Sequence, residues 1–115
     1  MMQAKEMDIA IIRRDACSIV HVYGDVNWRT SPELRQTLLD LIKQSFRELV
    51  IVDLSATAHI DSSGISSFIE ALVAAKRQGS RFILSGLSEQ ARHLLELTRL
   101  IGVFEIASSV EQALR

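Results

Sequence analysis

The feature that most constrains the fold is the continuous apolar run LVIVDL at residues 49–54. A strand with one face in water alternates apolar and polar side chains, whereas this run is apolar at successive positions. Such continuity is typical of a strand that is buried on both faces, as in a parallel sheet covered by helices. The run therefore predicts an α/β fold.

Amphipathic helices are predicted on both sides of this strand in the chain. Pro32 suits the first position of a helix, and Ser31 or Thr30 can cap it. Glu33 stands three residues after Thr30, which is the spacing of a capping box. The apolar face of this first helix comprises Leu34, Leu38, Leu41 and Ile42. A second helix is predicted at residues 64–78. Its apolar positions are Ile65, Phe68, Ile69, Leu72 and Val73.

The remaining segments complete an alternating order. Residues 9–12 and 18–23 are short β-branched runs that predict a hairpin, and residues 81–84 predict another buried strand. Ser88 is expected to cap a third helix, residues 103–106 to form an edge strand, and Ser108 with Glu111 to cap a terminal helix. Strands that alternate with helices predict a mixed, mostly parallel sheet of four to five strands, with about four helices. The helices are expected to lie mainly on one side of the sheet or on both sides.

Length and composition restrict the class of protein. The 115 residues, 48% of them hydrophobic, fit one domain, which we place at residues 7–115 after a frayed stretch at residues 1–6. The formal net charge of -1 argues against direct binding of nucleic acid, and the short apolar stretches predict no membrane span. A single cysteine allows no internal disulfide, and no secretory signal is recognised, so we expect a cytoplasmic protein.

The polar loop after the buried strand is the best candidate for a site. Loops at the carboxyl ends of parallel strands are the usual place for binding sites in α/β sheets. Residues 52–64, VDLSATAHIDSSG, form this loop, and we expect Asp61 or Ser62 to cap the second helix by accepting its first free N–H groups. A purely structural cap would also account for the Asp-Ser-Ser-Gly sequence, and composition alone leaves that alternative open.

Catalytic and metal-binding interpretations fit the sequence poorly. Asp53, His59 and Ser62 supply the residue types of a hydrolytic triad, but the serine lacks the G-x-S-x-G elbow. No glycine-rich phosphate-binding motif occurs, and the histidines have no partners at the spacing of metal ligands. We therefore expect that the protein is not an enzyme and that it binds no metal ion and no cofactor. Trp28 either fills the core or anchors an interface, and the core is favoured.

Residues 52–72, VDLSATAHIDSSGISSFIEAL, resemble the signature of STAS domains, in particular that of bacterial anti-anti-sigma factors, or anti-sigma factor antagonists. The resemblance continues upstream at residues 24–26, Gly-Asp-Val, and downstream at residues 82–87 and 100–104. It therefore covers nearly the whole chain and implies the STAS fold.

The same resemblance implies a function that depends on phosphorylation. Ser62 is then the phosphoacceptor, with Ser63 as second choice, and the modifying enzyme is an anti-sigma factor that is itself a serine kinase. The unphosphorylated protein would bind this factor and release the sigma factor, phosphorylation would end binding, and a phosphoserine phosphatase would restore it. The expected partner-binding residues are Asp25, Asp61, Ser62, Ser63, Gly64 and Ser66.

Two alternatives remain open for a domain with this resemblance. The protein could be a STAS module that acts as a scaffold or beside a transporter, or a module that binds nucleotides. We expect the free protein to be a monomer.

Overall fold

The computed structural model describes residues 6–115, and an alternation of strands and helices occupies this part of the chain. The elements are β1 Met7–Arg14, β2 Cys17–Gly24, α1 Ser31–Lys43, β3 Leu49–Ala56, α2 Ser62–Arg77, β4 Arg81–Ser85, α3 Glu89–Leu97, β5 Glu105–Ala107 and α4 Val110–Ala113. The order confirms the predicted α/β class. Of the stretch predicted to be frayed, residues 1–5 lie outside the described residues, and Glu6 pairs with Arg29 at 3.2 Å.

The strands form one five-stranded sheet in the order β1-β2-β3-β4-β5. β1 and β2 pair antiparallel, and the three other pairs are parallel. β3 lies in the centre, where Ile51 pairs with Ile19 of β2 and with Ile83 of β4. The mixed, mostly parallel sheet is therefore confirmed, and the carboxyl ends of β2, β3 and β4 share one edge.

Helices cover the two faces of the sheet unequally. The larger core cluster joins one face to the three longer helices through buried side chains that include Val50, Val52, Leu38, Phe68 and Leu95. On the other face, Ile51 and Ile83 pack against Ala113 of α4. The continuous apolar run of β3 is thus explained by burial on both faces. No helix in the described part of the chain is long and apolar enough to cross a membrane.

The predicted apolar face of α2 is wrong at Val73, which is 44% exposed. The buried face of α2 runs through Gly64, Phe68, Ala71 and Ala75. Residue 73 is two positions from residues 71 and 75, which places it about 200° around the helix from each. Small alanine side chains therefore hold positions on the core side, and the larger valine points outward. The predicted face of α1 is confirmed.

The N-cap position predicted for α1 is confirmed at Thr30, but the predicted side-chain cap does not form. Thr30 is the N-cap residue, but its side chain makes no cap hydrogen bond to the helix. Its Oγ1 accepts a hydrogen bond from the N–H of Asn27 at 2.9 Å and donates to the carbonyl of Asp25 at 2.9 Å. The hydroxyl therefore folds the preceding loop instead of capping the helix, and the predicted capping box with Glu33 does not form at this threonine.

At the C-terminal end the predicted boundaries shift by one or two residues. The cap of α4 is Ser109 instead of Ser108, because Ser109 Oγ accepts the N–H of Gln112 at 3.1 Å. β5 covers residues 105–107 instead of 103–106, because the chain before it forms turns that bury Phe104 against the core.

Candidate functional site

Ser62 is the first residue of α2, and its side chain is exposed at the carboxyl edge of the sheet. Its hydroxyl makes no hydrogen bond to any other residue of the range 6–115. The neighbouring hydroxyl of Ser63 is half-buried and donates to Asp61 Oδ1 at 2.5 Å. Of the two serines that the sequence offers as phosphoacceptors, Ser62 is accessible, whereas the hydroxyl of Ser63 is bound to Asp61.

Asp61 is the N-cap of α2, in agreement with the sequence-based prediction. Its Oδ1 accepts the backbone N–H groups of Ser63 and Gly64 at 2.9 and 3.2 Å, and its Oδ2 accepts the N–H of Trp28 at 3.0 Å. Burial raises the pKa of this carboxyl, but the hydrogen bonds from Ser63, Gly64 and Trp28 outweigh it and hold the pKa below its ordinary value. The charged carboxylate is thus the stable form, and it joins α2 to a second loop.

That second loop, which follows β2, lies beside the loop that precedes α2. Val26 and Ile60 form a parallel bridge, in which the N–H of Val26 donates to the carbonyl of His59 and the N–H of Asp61 donates to the carbonyl of Val26, each at 3.0 Å. Asp25 Oδ1 accepts the N–H of His59 at 3.2 Å, and Asp25 Oδ2 lies 3.7 Å from His59 Nδ1. The bridge brings Asp25 to the same edge as Asp61.

Close packing under the start of α2 explains the glycine of the Asp-Ser-Ser-Gly sequence. Gly64 is buried, and a Cβ atom there would lie 2.8 Å from both Ile60 Cγ2 and Val26 Cγ1. Gly64 therefore contributes its amide to Asp61 and its small size to the packing, and it offers no side chain to a partner. Ser66, which the sequence places on the partner surface, is exposed on α2.

Trp28 is 71% exposed, so the prediction that it fills the core is wrong. Val26, two residues earlier, takes the buried position in this loop. The backbone of Trp28 is bound to Asp61, and its side chain points away from the core.

Sequence reasoning missed a glutamine that fixes the loop before α2. Gln90 of α3 accepts the N–H of Ile60 at 2.8 Å and donates from Nε2 to the carbonyl of Ile60 at 2.9 Å. Ser88 donates to the carbonyl of Ala58 at 2.8 Å. Both residues lie about 30 positions from their partners, so no local signal could reveal these contacts.

The residue types of a hydrolytic triad are present but separate. Asp53 Oδ2 is bound to His21 Nδ1 at 2.7 Å, whereas His59 lies beside Asp25. Burial raises the pKa of Asp53, but the hydrogen bonds from Ser55 and His21 lower it to a greater extent. Ser62 has neither histidine as a hydrogen-bond partner. Among residues 6–115, no three His, Cys, Asp or Glu side chains are grouped so that they could hold a metal ion.

Fold and site together define a small α/β domain that presents an exposed serine on a capped helix at the edge of its sheet. The family model described as "STAS domain" matches residues 8–113. The chain therefore belongs to the STAS domain family, and the resemblance found in the sequence is confirmed.

Several relatives of the chain are named as anti-sigma factor antagonists. The chain is similar to the anti-sigma-B factor antagonist of Listeria monocytogenes, with 28% identity over 102 residues, 87% of this chain and 88% of the relative. The structure is similar to an anti-sigma factor antagonist from Mycobacterium paratuberculosis, with a TM-score of 0.81, 23% identity and coverage of 98% and 96% of the two chains. It is also similar to the unphosphorylated form of the anti-sigma factor antagonist SpoIIAA, with a TM-score of 0.79, 16% identity and 93% coverage of each chain. These structural likenesses show that the chain has the same fold.

Proposed function

We propose that the protein is an anti-sigma factor antagonist that is controlled by phosphorylation of Ser62. In the unphosphorylated form it binds an anti-sigma factor with serine-kinase activity and so releases the sigma factor. The observation that carries the proposal is the exposed hydroxyl of Ser62, which is free of hydrogen bonds within residues 6–115 and stands directly after the cap of α2. Membership of the STAS family and the names of the relatives support the class of partner.

The fold is expected to tolerate a phosphoryl group on Ser62. Phosphorylation adds about -1.5 to -2 charges at neutral pH. Ser62 lies in the first turn of α2, where the helix dipole favours an anion, while the N–H groups of Ser63 and Gly64 stay bound to Asp61. The modification therefore changes the surface far more than the interior.

The partner surface is expected to reject the same group. Asp25 and Asp61 already place two carboxylates at this edge, and a phosphoryl group on Ser62 makes the edge more strongly negative. Each unit of added negative charge that comes about 5 Å from a carboxylate of the partner costs roughly 3 kcal/mol at an effective dielectric constant of about 20. That energy corresponds to roughly a hundredfold loss of affinity, and steric exclusion adds to it.

In this proposal the protein acts by binding and catalyses no reaction. The kinase activity belongs to the anti-sigma factor, and a phosphoserine phosphatase restores the binding form. Because its partners control transcription, the protein acts in the cytoplasm.

Calorimetric titration against each purified serine-kinase anti-sigma factor that the host genome encodes tests the proposal. The proteins compared are the wild type, Ser62→Ala, Ser62→Asp and the control Ser108→Asp, which adds the same charge at an exposed serine before α4. We expect the wild type, Ser62→Ala and the control to bind alike and Ser62→Asp to bind at least about tenfold more weakly, because one added charge gives part of the phosphate effect.

Equal binding of Ser62→Asp and the wild type, with melting temperatures within a few degrees, would contradict control by charge. A wild type that binds none of these factors would favour the scaffold or nucleotide-binding alternatives. A thermal shift with ATP and GTP then separates those two alternatives.

A further inference from the structure

We propose that Trp28 is the main apolar contact of this protein with its anti-sigma factor partner, and that it inserts into an apolar cleft that accepts a hydrogen bond from the indole Nε1–H. The inference rests on the proposed function and names the contact by which that partner is held.

The exposure of Trp28 is the first observation. Its side chain is 71% exposed, the highest value among the large hydrophobic side chains of residues 6–115. The guanidinium of Arg29 lies 5.5 Å from the ring centroid and is the cation paired with this ring. A tryptophan in this position leaves a large apolar area in water, and such residues supply much of the affinity when a partner buries them.

The rigidity of the loop that carries Trp28 is the second observation. Asn27 Oδ1 accepts the N–H of Arg29 at 2.9 Å, and the carbonyl of Asn27 accepts the N–H of Ser31 at 2.7 Å. The N–H of Asn27 is bound in turn by Thr30 Oγ1 at 2.9 Å. The backbone on both sides of Trp28 is thus held before any partner arrives, which reduces the entropy lost when the ring is buried.

The third observation links Trp28 to the proposed phosphorylation site. The N–H of Trp28 donates to Asp61 Oδ2 at 3.0 Å, and the other oxygen of the same carboxylate caps the helix that begins at Ser62. One carboxylate therefore fixes both the loop of the tryptophan and the start of α2. Because the backbone of Trp28 contacts the residue before Ser62, the proposal places the tryptophan and the phosphorylation site in one interface.

The chemistry of the side chain defines the cleft that would receive it. The ring needs apolar walls, and the buried indole N–H needs an acceptor, since tryptophan N–H groups are usually hydrogen-bonded when buried. The complementary surface is therefore an apolar cleft with a carbonyl or carboxylate oxygen inside it.

Trp28→Ala and Trp28→Phe, titrated against the same anti-sigma factors, test the inference. The matched control is Phe46→Ala, because Phe46 is also an exposed aromatic residue at 60%, with Arg47 at 5.2 Å from its ring. Phe46 precedes β3, so it lies at the opposite edge of the sheet from the loop that follows β2. We expect Trp28→Ala to weaken binding by about thirtyfold or more. The affinity of Trp28→Phe should lie between that of Trp28→Ala and that of the wild type, and the affinity of the control should stay within about twofold of the wild type.

The results separate this inference from the proposed function. If Ser62→Asp weakens binding while Trp28→Ala binds within about twofold of the wild type, the proposed function stands and the inference is overturned. If the wild type binds none of the factors, the proposed function and the inference about Trp28 are both contradicted.

Fluorescence gives a second readout that needs no variant, because Trp28 is the single tryptophan of the chain. Complex formation with a factor that lacks tryptophan at the interface, or whose tryptophans are replaced, should shift the Trp28 emission to the blue and reduce its quenching by acrylamide. Unchanged emission and quenching in a saturated complex would overturn the inference.

Discussion

Asp61 is the residue on which the geometry of the site depends, and its replacement by alanine is the sharpest test of that geometry. The substitution removes the acceptor for the N–H groups of Ser63 and Gly64 and for the N–H of Trp28. Loss of an N-cap side chain costs about 1 kcal/mol, and loss of a charge-assisted hydrogen bond at a partly exposed position costs about 1 kcal/mol more. We therefore expect the free energy of unfolding to fall by about 2 kcal/mol.

Urea unfolding followed by far-UV circular dichroism measures this loss. For an m-value of about 2 kcal/mol/M, the midpoint should fall by about 1 M. The control is Asp40→Ala, which removes only an exposed contact on α1, where Asp40 accepts from Gln36 Nε2 at 2.8 Å. An exposed pair of this kind contributes about 0.2–0.5 kcal/mol, so the control should lose far less.

Acid should reduce the difference in stability between Asp61→Ala and the wild type. Because the folded-state pKa of Asp61 is lowered, its stabilisation is complete above the unfolded pKa, near 4, and is lost as the pH falls through the folded pKa. The difference between the urea midpoints of the wild type and Asp61→Ala should therefore be large at neutral pH and smaller in acid. A loss below about 0.5 kcal/mol at neutral pH, or a gap that stays the same in acid, would refute the role given to this carboxylate.

Three further predictions follow from contacts around the site. Gly64→Ala should lower the free energy of unfolding by about 1–3 kcal/mol in urea titrations, because its Cβ would lie 2.8 Å from side-chain carbons of Val26 and Ile60; an unchanged midpoint would show that this packing can relax. Phe68→Ala should cost about 3–5 kcal/mol, since Phe68 is 1% exposed in the core, and a loss below about 1 kcal/mol would contradict its place there. Asp53→Asn should lower stability at neutral pH and have less effect in acid, because the pKa of Asp53 is lowered in the folded protein; a loss that grows as the pH falls would contradict the sign of that shift.

Elements determined by local sequence and burial could be predicted. The apolar run at residues 49–54 indicated a strand with both faces buried, and the central position of β3 accounts for it. The cap at Asp61 could be predicted because a helix start depends on a few neighbouring residues.

Features that depend on contacts distant in sequence could not be predicted. Thr30 has the spacing of a cap, yet its hydroxyl is taken by Asn27 and Asp25 within a loop whose shape depends on the bridge to residues 59–61. Trp28 has the hydrophobicity of a core residue, and only the buried position of Val26 leaves it outside. Gln90 supports the loop at Ile60 from a helix 30 residues away.

The measurement that tests the central claim most directly is a map of the phosphorylated residue. The wild-type protein is incubated with ATP and each serine-kinase anti-sigma factor of the host, and the intact mass and the proteolytic fragments are analysed by tandem mass spectrometry. We predict one phosphoryl group, on Ser62, and none on Ser62→Ala. Phosphorylation of Ser63, of a residue outside the start of α2, or of Ser62→Ala to the same extent as the wild type would contradict the account.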